Sequence, residues 1–432
     1  MQHEQSWIAL AEILGARSPY LKPLLKAFGT PEGVFGASEE RLREVLPEIG
    51  VGTLKALLGK RTDEIARGIV LWCHQNAVRI LPYDHAEYPA TLRELDEPPA
   101  LLYCRGRLPA LQGRACVGIV GPRETDAYGE DVTYKISFEL AAAGAVIVSG
   151  LAEGVDGVAT AAALLSGGTP IAVLGCGIDV VYPRHHTRLF AECVERGAVI
   201  TEYAPGTPPN RQNFPIRNRL ISALSDAVLL TQAGERSGAL ITARYALVQG
   251  RPLYVVPGNV TLPLCAGSNR LLQSGAYPTL DARDLLAPLL ARYHATLSEK
   301  QFEEAAQYSA FDAQRLRALG LHLCEREGVP SVSEAAPKRK KEKKVKKEKK
   351  EKKKKPTERE EGVSSPEGSR APDLSLLTPR QRELYAMLPQ SPFTADVLTA
   401  RGVPISEAAS TLTLLEIYGL LASRPGGTFE LK

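Results

Sequence analysis

Arginine and phenylalanine crowd one short stretch of this chain, Arg211-Gln212-Asn213-Phe214-Pro215-Ile216-Arg217-Asn218-Arg219. Guanidinium groups beside an aromatic ring are what a single-stranded polyanion asks of a surface, since phosphates need cations and splayed bases need a flat apolar face. The same residues also suit the phosphate loop of a nucleotide enzyme. Arg217 and Arg219 have a second reading as structural ion-pair partners of Asp226, Glu202 or Glu235, and Phe214 has one as a core aromatic. Two arginines two positions apart point to different sides of a helix, which argues against both meeting one ligand. The position of Phe214 between Asn213 and Pro215 reads as a loop and favours exposure.

Four glycine-containing segments accompany that stretch. Gly118-Ile119-Val120-Gly121-Pro122-Arg123 ends an apolar run and leads toward a helix, where bare backbone and helix-end amides approach a phosphate closely. A dinucleotide fingerprint wants GxGxxG followed by an acid. Here Ile119-Val120 replaces the middle glycine and Arg123 stands where a cofactor phosphate would lie, so no NAD or FAD site is read and no cofactor is expected. Arg123 reads instead as a phosphate ligand for an open-ended polymer. Ser149-Gly150 with Glu153-Gly154 and Asp156-Gly157, then Gly175-Cys176-Gly177 with Tyr182-Pro183, then Glu235-Arg236-Ser237-Gly238 complete the set.

The elements that carry these segments are legible from hydrophobic patterning. Between 113 and 292, runs of strand length such as ACVGIVG, AVIVSG, PIAVLGCG, AVITEY, AVLLTQA and PLYVVPG alternate with helical segments. Their continuous hydrophobicity predicts strands buried on both faces of a parallel sheet between helices. Nearly every run ends in glycine or a small polar residue. Ligands of open α/β sheets bind beyond the carboxyl ends of strands, so these positions predict a long surface rather than one pocket.

Residues 1–80 read as a small helical domain. Thr30 is placed as an N-cap before Pro31, and Pro47–Gly52 forms a turn like that of a helix-hairpin-helix or SAM-like module, with a plain glycine turn as the alternative. Residues 81–112 are Pro-rich and read as an extended connection with a short strand at Leu101-Leu102-Tyr103. Residues 293–372 read as a linker that contains a Lys-rich disordered tract, with some helical amphipathicity kept from Arg292 to Glu327. Residues 373–432 read as three helices (Pro379–Leu388, Thr394–Ala400, Ser406–Tyr418) closed by a β-hairpin, which is a winged helix. Its third helix has no Lys or Arg and two Glu, so docking to protein fits it better than a DNA groove.

Charge and cysteine usage narrow the function classes. The tract from Lys338 to Lys355 holds 14 Lys/Arg against 3 Glu, and subtracting that +11 from the chain's +4 leaves −7 for the rest. Affinity of the folded parts for a polyanion must therefore come from local clusters. Seven scattered cysteines without a CxxC spacing predict reduced, buried thiols in a cytoplasmic protein, not a disulfide framework or zinc site, and no metal or catalytic residue is assigned. No signal peptide is read at the N-terminus, and no apolar run reaches membrane-spanning length.

In this order and spacing the five motifs closely resemble the DprA (Smf) family of DNA-processing proteins, most strongly from Gly118 to Gly275. The resemblance implies an extended Rossmann-like domain that binds single-stranded DNA without sequence preference and does no chemistry. It also implies protection of incoming strands in natural transformation, loading of RecA recombinase, and a homodimer. Carried over by motif, the DNA-binding set is Gly121, Arg123, Ser149, Gly150, Gly175, Arg211, Phe214, Arg217, Arg219, Ser237 and Gly238. Pro122 departs from the family's Ser or Thr, Glu153 from a basic or apolar residue, Thr160 from a histidine and His186 from an asparagine. The alternative is a nucleoside-monophosphate phosphoribohydrolase-like enzyme on the same core. Its PGGxGTxxE pattern is not met by QAGERSGAL, which lacks the glycine pair and misplaces Glu235.

Overall fold

Val and Ile, stiff at χ1 and well suited to a pleated surface, dominate the strands of a nine-stranded sheet. In the computed structural model the described residues are 2–59, 63–325, 379–389, 391–394, 396–401, 403, 411–412, 415, 420–424 and 428–431. They fall into two units, Met1–Val329 and Pro330–Lys432.

In the first unit the strands are β1 (Arg79–Pro82), β2 (Leu101–Gly106), β3 (Cys116–Val120), β4 (Val146–Ser149), β5 (Pro170–Val173), β6 (Ala198–Thr201), β7 (Ala227–Leu230), β8 (Leu253–Val255) and β9 (Tyr277–Pro278). Their spatial order is β1-β2-β6-β5-β4-β3-β7-β8-β9. From β6 to β9 every pairing is parallel, while β2 runs antiparallel to β6 and β1 to β2. β3 is buried at every position, because Val117 and Ile119 enter one core while Cys116 and Val120 enter another. Helices Ala127–Ala142 and Val155–Leu165 cover the first face. Helices Asn213–Ala223 and Ala239–Val248 cover the second.

The chain winds from β3 outward through β4, β5 and β6, then returns to place β7 on the other side of β3. That reversal makes the β3/β7 boundary the topological switch point, where the loops leaving the two strand ends diverge and open a crevice.

Three expectations need correction here. Residues 81–112 are more than a connection with one short strand: β2 runs on to Gly106, and β1 straddles the boundary, with Arg79 and Ile80 inside the stretch assigned to the helical domain. β1, with four residues, is too short for periodicity to reveal it. Residues 293–325 are not linker either, because helices Glu299–Ala306 and Ala313–Ala318 bury Phe302 and Leu316 in the cores of this unit.

The N-terminal helices form as read. The Thr30 side chain accepts a hydrogen bond from the Gly33 amide with Pro31 at the first helical position, and Pro47–Gly50 turns between helices Glu39–Val45 and Val51–Gly59. Lys60 and Arg61, two of the cations beside that turn, lie outside the described residues.

In the second unit a three-stranded sheet pairs Phe393–Thr394 with Thr428–Leu431, and the latter with Leu421–Arg424. Leu384, Leu398, Leu412 and Leu415 share one core with Leu421 of that sheet. Phe393–Thr394 is a strand, so the second helix starts at Asp396 rather than Thr394. Most of Ser406–Tyr418, and the whole tract 338–355, lie outside the described residues.

Candidate nucleic-acid interface

The loop after β3 and the first turn of helix Asn213–Ala223 meet over the carboxyl ends of β4 and β5. Arg123 is exposed and sets its guanidinium carbon 4.9 Å from the centroid of the Phe214 ring. The Tyr182 ring lies 5.5 Å from that of Phe214 and is tilted by 39°. Phe214 is half-buried, and it sits in the helix's first turn rather than in a loop. Glycine at 175 is what admits the ring, since a Cβ there would stand 2.8 Å from Phe214 Cδ1. Arg211 is exposed in the turn just before the helix. Arg123 and Phe214 thus set a cation over an aromatic ring on a solvent-facing edge, and Arg211 is exposed two residues before the helix that carries the ring.

Beneath that edge the polar groups are buried and engaged with the protein. Arg217, only 3% exposed, donates from Nη1 to the carbonyls of Gly150 and Val173, the latter contact being very short. It also packs at 5.9 Å from the Phe214 centroid. Asp156 lies across Gly150 from it, and a Cβ on Gly150 would collide with both side chains. Burial raises the Asp156 pKa above the ordinary carboxylate range, while Arg217 and the amides of Ala152 and Gly150 pull the other way. Burial likewise lowers the Arg217 pKa. The pair supports the floor of the edge, and Arg217 is corrected from a DNA ligand to a supporting residue.

Arg219 is corrected as well. It is 2% exposed and pairs with Glu202 at 2.6 Å, one of the ion pairs that the sequence left open. Burial raises the Glu202 pKa and Arg219 opposes the shift. Arg219 Nε and Nη1 and Glu202 Oε1 make no hydrogen bond, so the pair is incompletely satisfied. Ser149 is also withdrawn from the interface, because it is fully buried and donates to the Ile119 carbonyl at 2.7 Å.

The remaining assigned positions lie along the strand ends. Gly121 is half-buried against Val155, and a Cβ there would stand 2.5 Å from Val155 Cγ2. Gly150 and Gly175 are buried backbone beneath the edge. Across the switch point, Gly238 is exposed and half-buried Ser237 accepts from the Ala239 amide, in the loop between β7 and its helix. Glu235 in that loop pairs with Arg270 at 2.7 Å, and both side chains are more than half exposed.

Two contributors were not assigned from sequence. Tyr182 was visible in the Gly175–Pro183 motif, but nothing there told that it meets Phe214. Thr231 places a buried hydroxyl without a hydrogen bond beyond β7, beside Gly121. Among the described residues, no helix is long and apolar enough to cross a membrane.

Comparison with known proteins agrees with this architecture. The family model described as DNA recombination-mediator protein A matches residues 79–289, and that described as the DprA winged helix domain matches 368–427. The DNA processing protein DprA of Bacillus subtilis is 37% identical over 218 residues, covering 50% of this chain and 73% of that protein. Protein Smf of Synechocystis is 36% identical over 286 residues, covering 66% of this chain and 72% of that one. The X-ray structure of DNA processing protein A from Streptococcus pneumoniae is similar with a TM-score of 0.58 at 29% identity, covering 65% of this chain and 97% of that one. This chain belongs to the DNA recombination-mediator protein A family, whose members are also named DprA or Smf.

Proposed function

We propose that the chain binds single-stranded DNA, without sequence preference, along the edge formed by Arg123, Phe214, Tyr182 and Arg211. The observation that carries this reading is the Arg123–Phe214 contact, which puts a cation and a half-exposed ring face at one strand end. Duplex DNA presents its phosphates but keeps its bases stacked, so an aromatic platform favours the single strand. Membership of a recombination-mediator family supports a role in shielding incoming strands and loading RecA onto them. A homodimer and a cytoplasmic site of action belong to the same proposal.

Binding without catalysis is part of this reading. The phosphoribohydrolase alternative needs a carboxylate poised over a phosphate loop. Glu235 instead faces Arg270 on the exposed surface. Thr160, where the family carries a histidine, donates its hydroxyl to the Asp156 carbonyl within its own helix. A binding surface tolerates such changes more readily than acid–base machinery does.

The test is anisotropy titration of labelled single-stranded and duplex oligonucleotides of matched length and several sequences. Preference for the single strand with little dependence on sequence is expected. Equal affinity for both forms would overturn the reading, and release of base from a nucleoside monophosphate would favour the enzyme.

A further inference from the structure

Three ligand-type side chains from distant parts of the sequence converge beside the interface, and nothing in the DNA-binding account uses them. Glu153 lies in the loop after β4, His185 in the short 3-10 helix Arg184–His186, and His322 just past helix Ala313–Ala318. One donor atom from each lies within 4.8 Å of the other two. Glu153 Oε1 is 3.4 Å from His185 Nε2 and 3.3 Å from His322 Nδ1.

Those separations are long for hydrogen bonds, which have their mode near ~2.9–3.0 Å. Both are near the ~3.3 Å edge of a tetrahedron whose corners lie ~2.0–2.1 Å from a central zinc ion, and the third donor separation lies within 4.8 Å. His185 Nε2 is buried and makes no hydrogen bond, a costly condition for a neutral imidazole nitrogen. The two imidazole rings stack with centroids 3.9 Å apart, which brings both ligand-bearing rings to the same carboxylate.

The backbone fixes this convergence. Gly320 takes φ +93° and passes so close to the His185 carbonyl that a Cβ would collide with it, and the Leu189 amide donates to the Leu319 carbonyl. His186 is not part of the set, since its Nδ1 contacts the Leu151 carbonyl and its ring faces Gly157.

We propose that Glu153, His185 and His322 form a site for a borderline transition-metal ion of the zinc class, with water completing its coordination. Binding would splay the two stacked rings so that both in-plane lone pairs meet at the ion, a movement open to His322 at 69% side-chain exposure. The ion would tie the segment around His322 to the β4 loop. Gly154 in that loop sits directly against the backbone of Pro122 and Arg123, so the tie borders the DNA edge. The proposal stands apart from DNA binding, because metal occupancy is read without DNA.

The test is equilibrium dialysis of the full-length chain, purified without a histidine tag, against Zn²⁺, with Co²⁺ absorption as a second readout. One tightly held equivalent and a four-coordinate Co²⁺ spectrum are expected for the wild type. Both should be lost in His322→Ala and Glu153→Gln and kept in His74→Ala, which alters the separate imidazole–carboxylate pair His74–Glu4. No bound equivalent in the wild type, or a full equivalent in His322→Ala, would overturn the proposal.

Discussion

The Arg123 guanidinium carbon rests 4.9 Å from the Phe214 ring centroid, although one residue follows β3 and the other heads the helix before β7. The contact holds a cation over an aromatic face before any ligand arrives, which lowers the ordering cost of binding. Because the partners lie on separate segments, the pair reports on the whole edge.

Arg123→Ala should weaken single-strand affinity and reduce the salt slope by about one charge. The two residues should also couple. A double-mutant cycle with Phe214→Ala is expected to give an interaction energy of about 0.5–3 kcal/mol, and strictly additive losses in titrations would show that they act separately.

Arg219→Ala should act on stability, not as the loss of a DNA contact. Removing one member of a buried pair leaves the other charge unpaired, at a cost of about 3–5 kcal/mol. Urea denaturation should show that loss. Because the pair is incompletely hydrogen-bonded, the double change Arg219→Met with Glu202→Leu should recover most of it. Recovery of stability together with a large loss of DNA affinity would return Arg219 to the interface.

Gly175→Ala should disturb the platform from below. Its Cβ would press on Phe214 at 2.8 Å, and the ring must shift. Crowding of this kind costs about 1–3 kcal/mol. A melt and an oligonucleotide titration on the same sample should show a modest loss of stability and a clear loss of single-strand affinity. Unchanged affinity would mean that the ring position is unimportant.

Thiol reactivity gives an independent check on the core. Burial pushes the thiols of Cys73, Cys116 and Cys193 up to about 12, and those of Cys104 and Cys176 up to about 11. At pH 8 almost none of each is thiolate, the reactive form. A chromogenic disulfide reagent should therefore find these five slow in the native chain and all seven cysteines fast in denaturant. Half-buried Cys324 is the expected first responder. Rapid native reaction at Cys116 or Cys193 would contradict the packing.

Deleting residues 338–355 removes a net +11 from the chain. The salt dependence of DNA binding should flatten while the loss caused by Arg123→Ala persists. An unchanged slope would exclude the tract from binding.

Much of this was legible in the sequence because parallel strands buried on both faces read as unbroken Val/Ile runs. Glycine at strand ends then marked the edge, and the segments holding Arg123 and Phe214 could be placed on it. What local pattern could not supply was depth. Arg217 and Arg219 look like surface cations, yet each finds a buried acid brought near only by the fold, Asp156 for one and Glu202 for the other. Ser149 likewise spends its hydroxyl on the neighbouring strand. β1 escaped because four residues are too few for a period, while the helical amphipathicity of 292–327 was legible but not that Phe302 and Leu316 pack into the cores of the first unit. Glu153, His185 and His322 carry no local spacing that could link them.

The most direct test is the affinity of Phe214→Ala for a single-stranded oligonucleotide, with folding verified by an unchanged cooperative melt. Loss of base stacking worth about 1–3 kcal/mol predicts a fall of roughly five- to 150-fold, with duplex affinity nearly unchanged. Wild-type single-strand affinity in a folded Phe214→Ala chain would contradict the account.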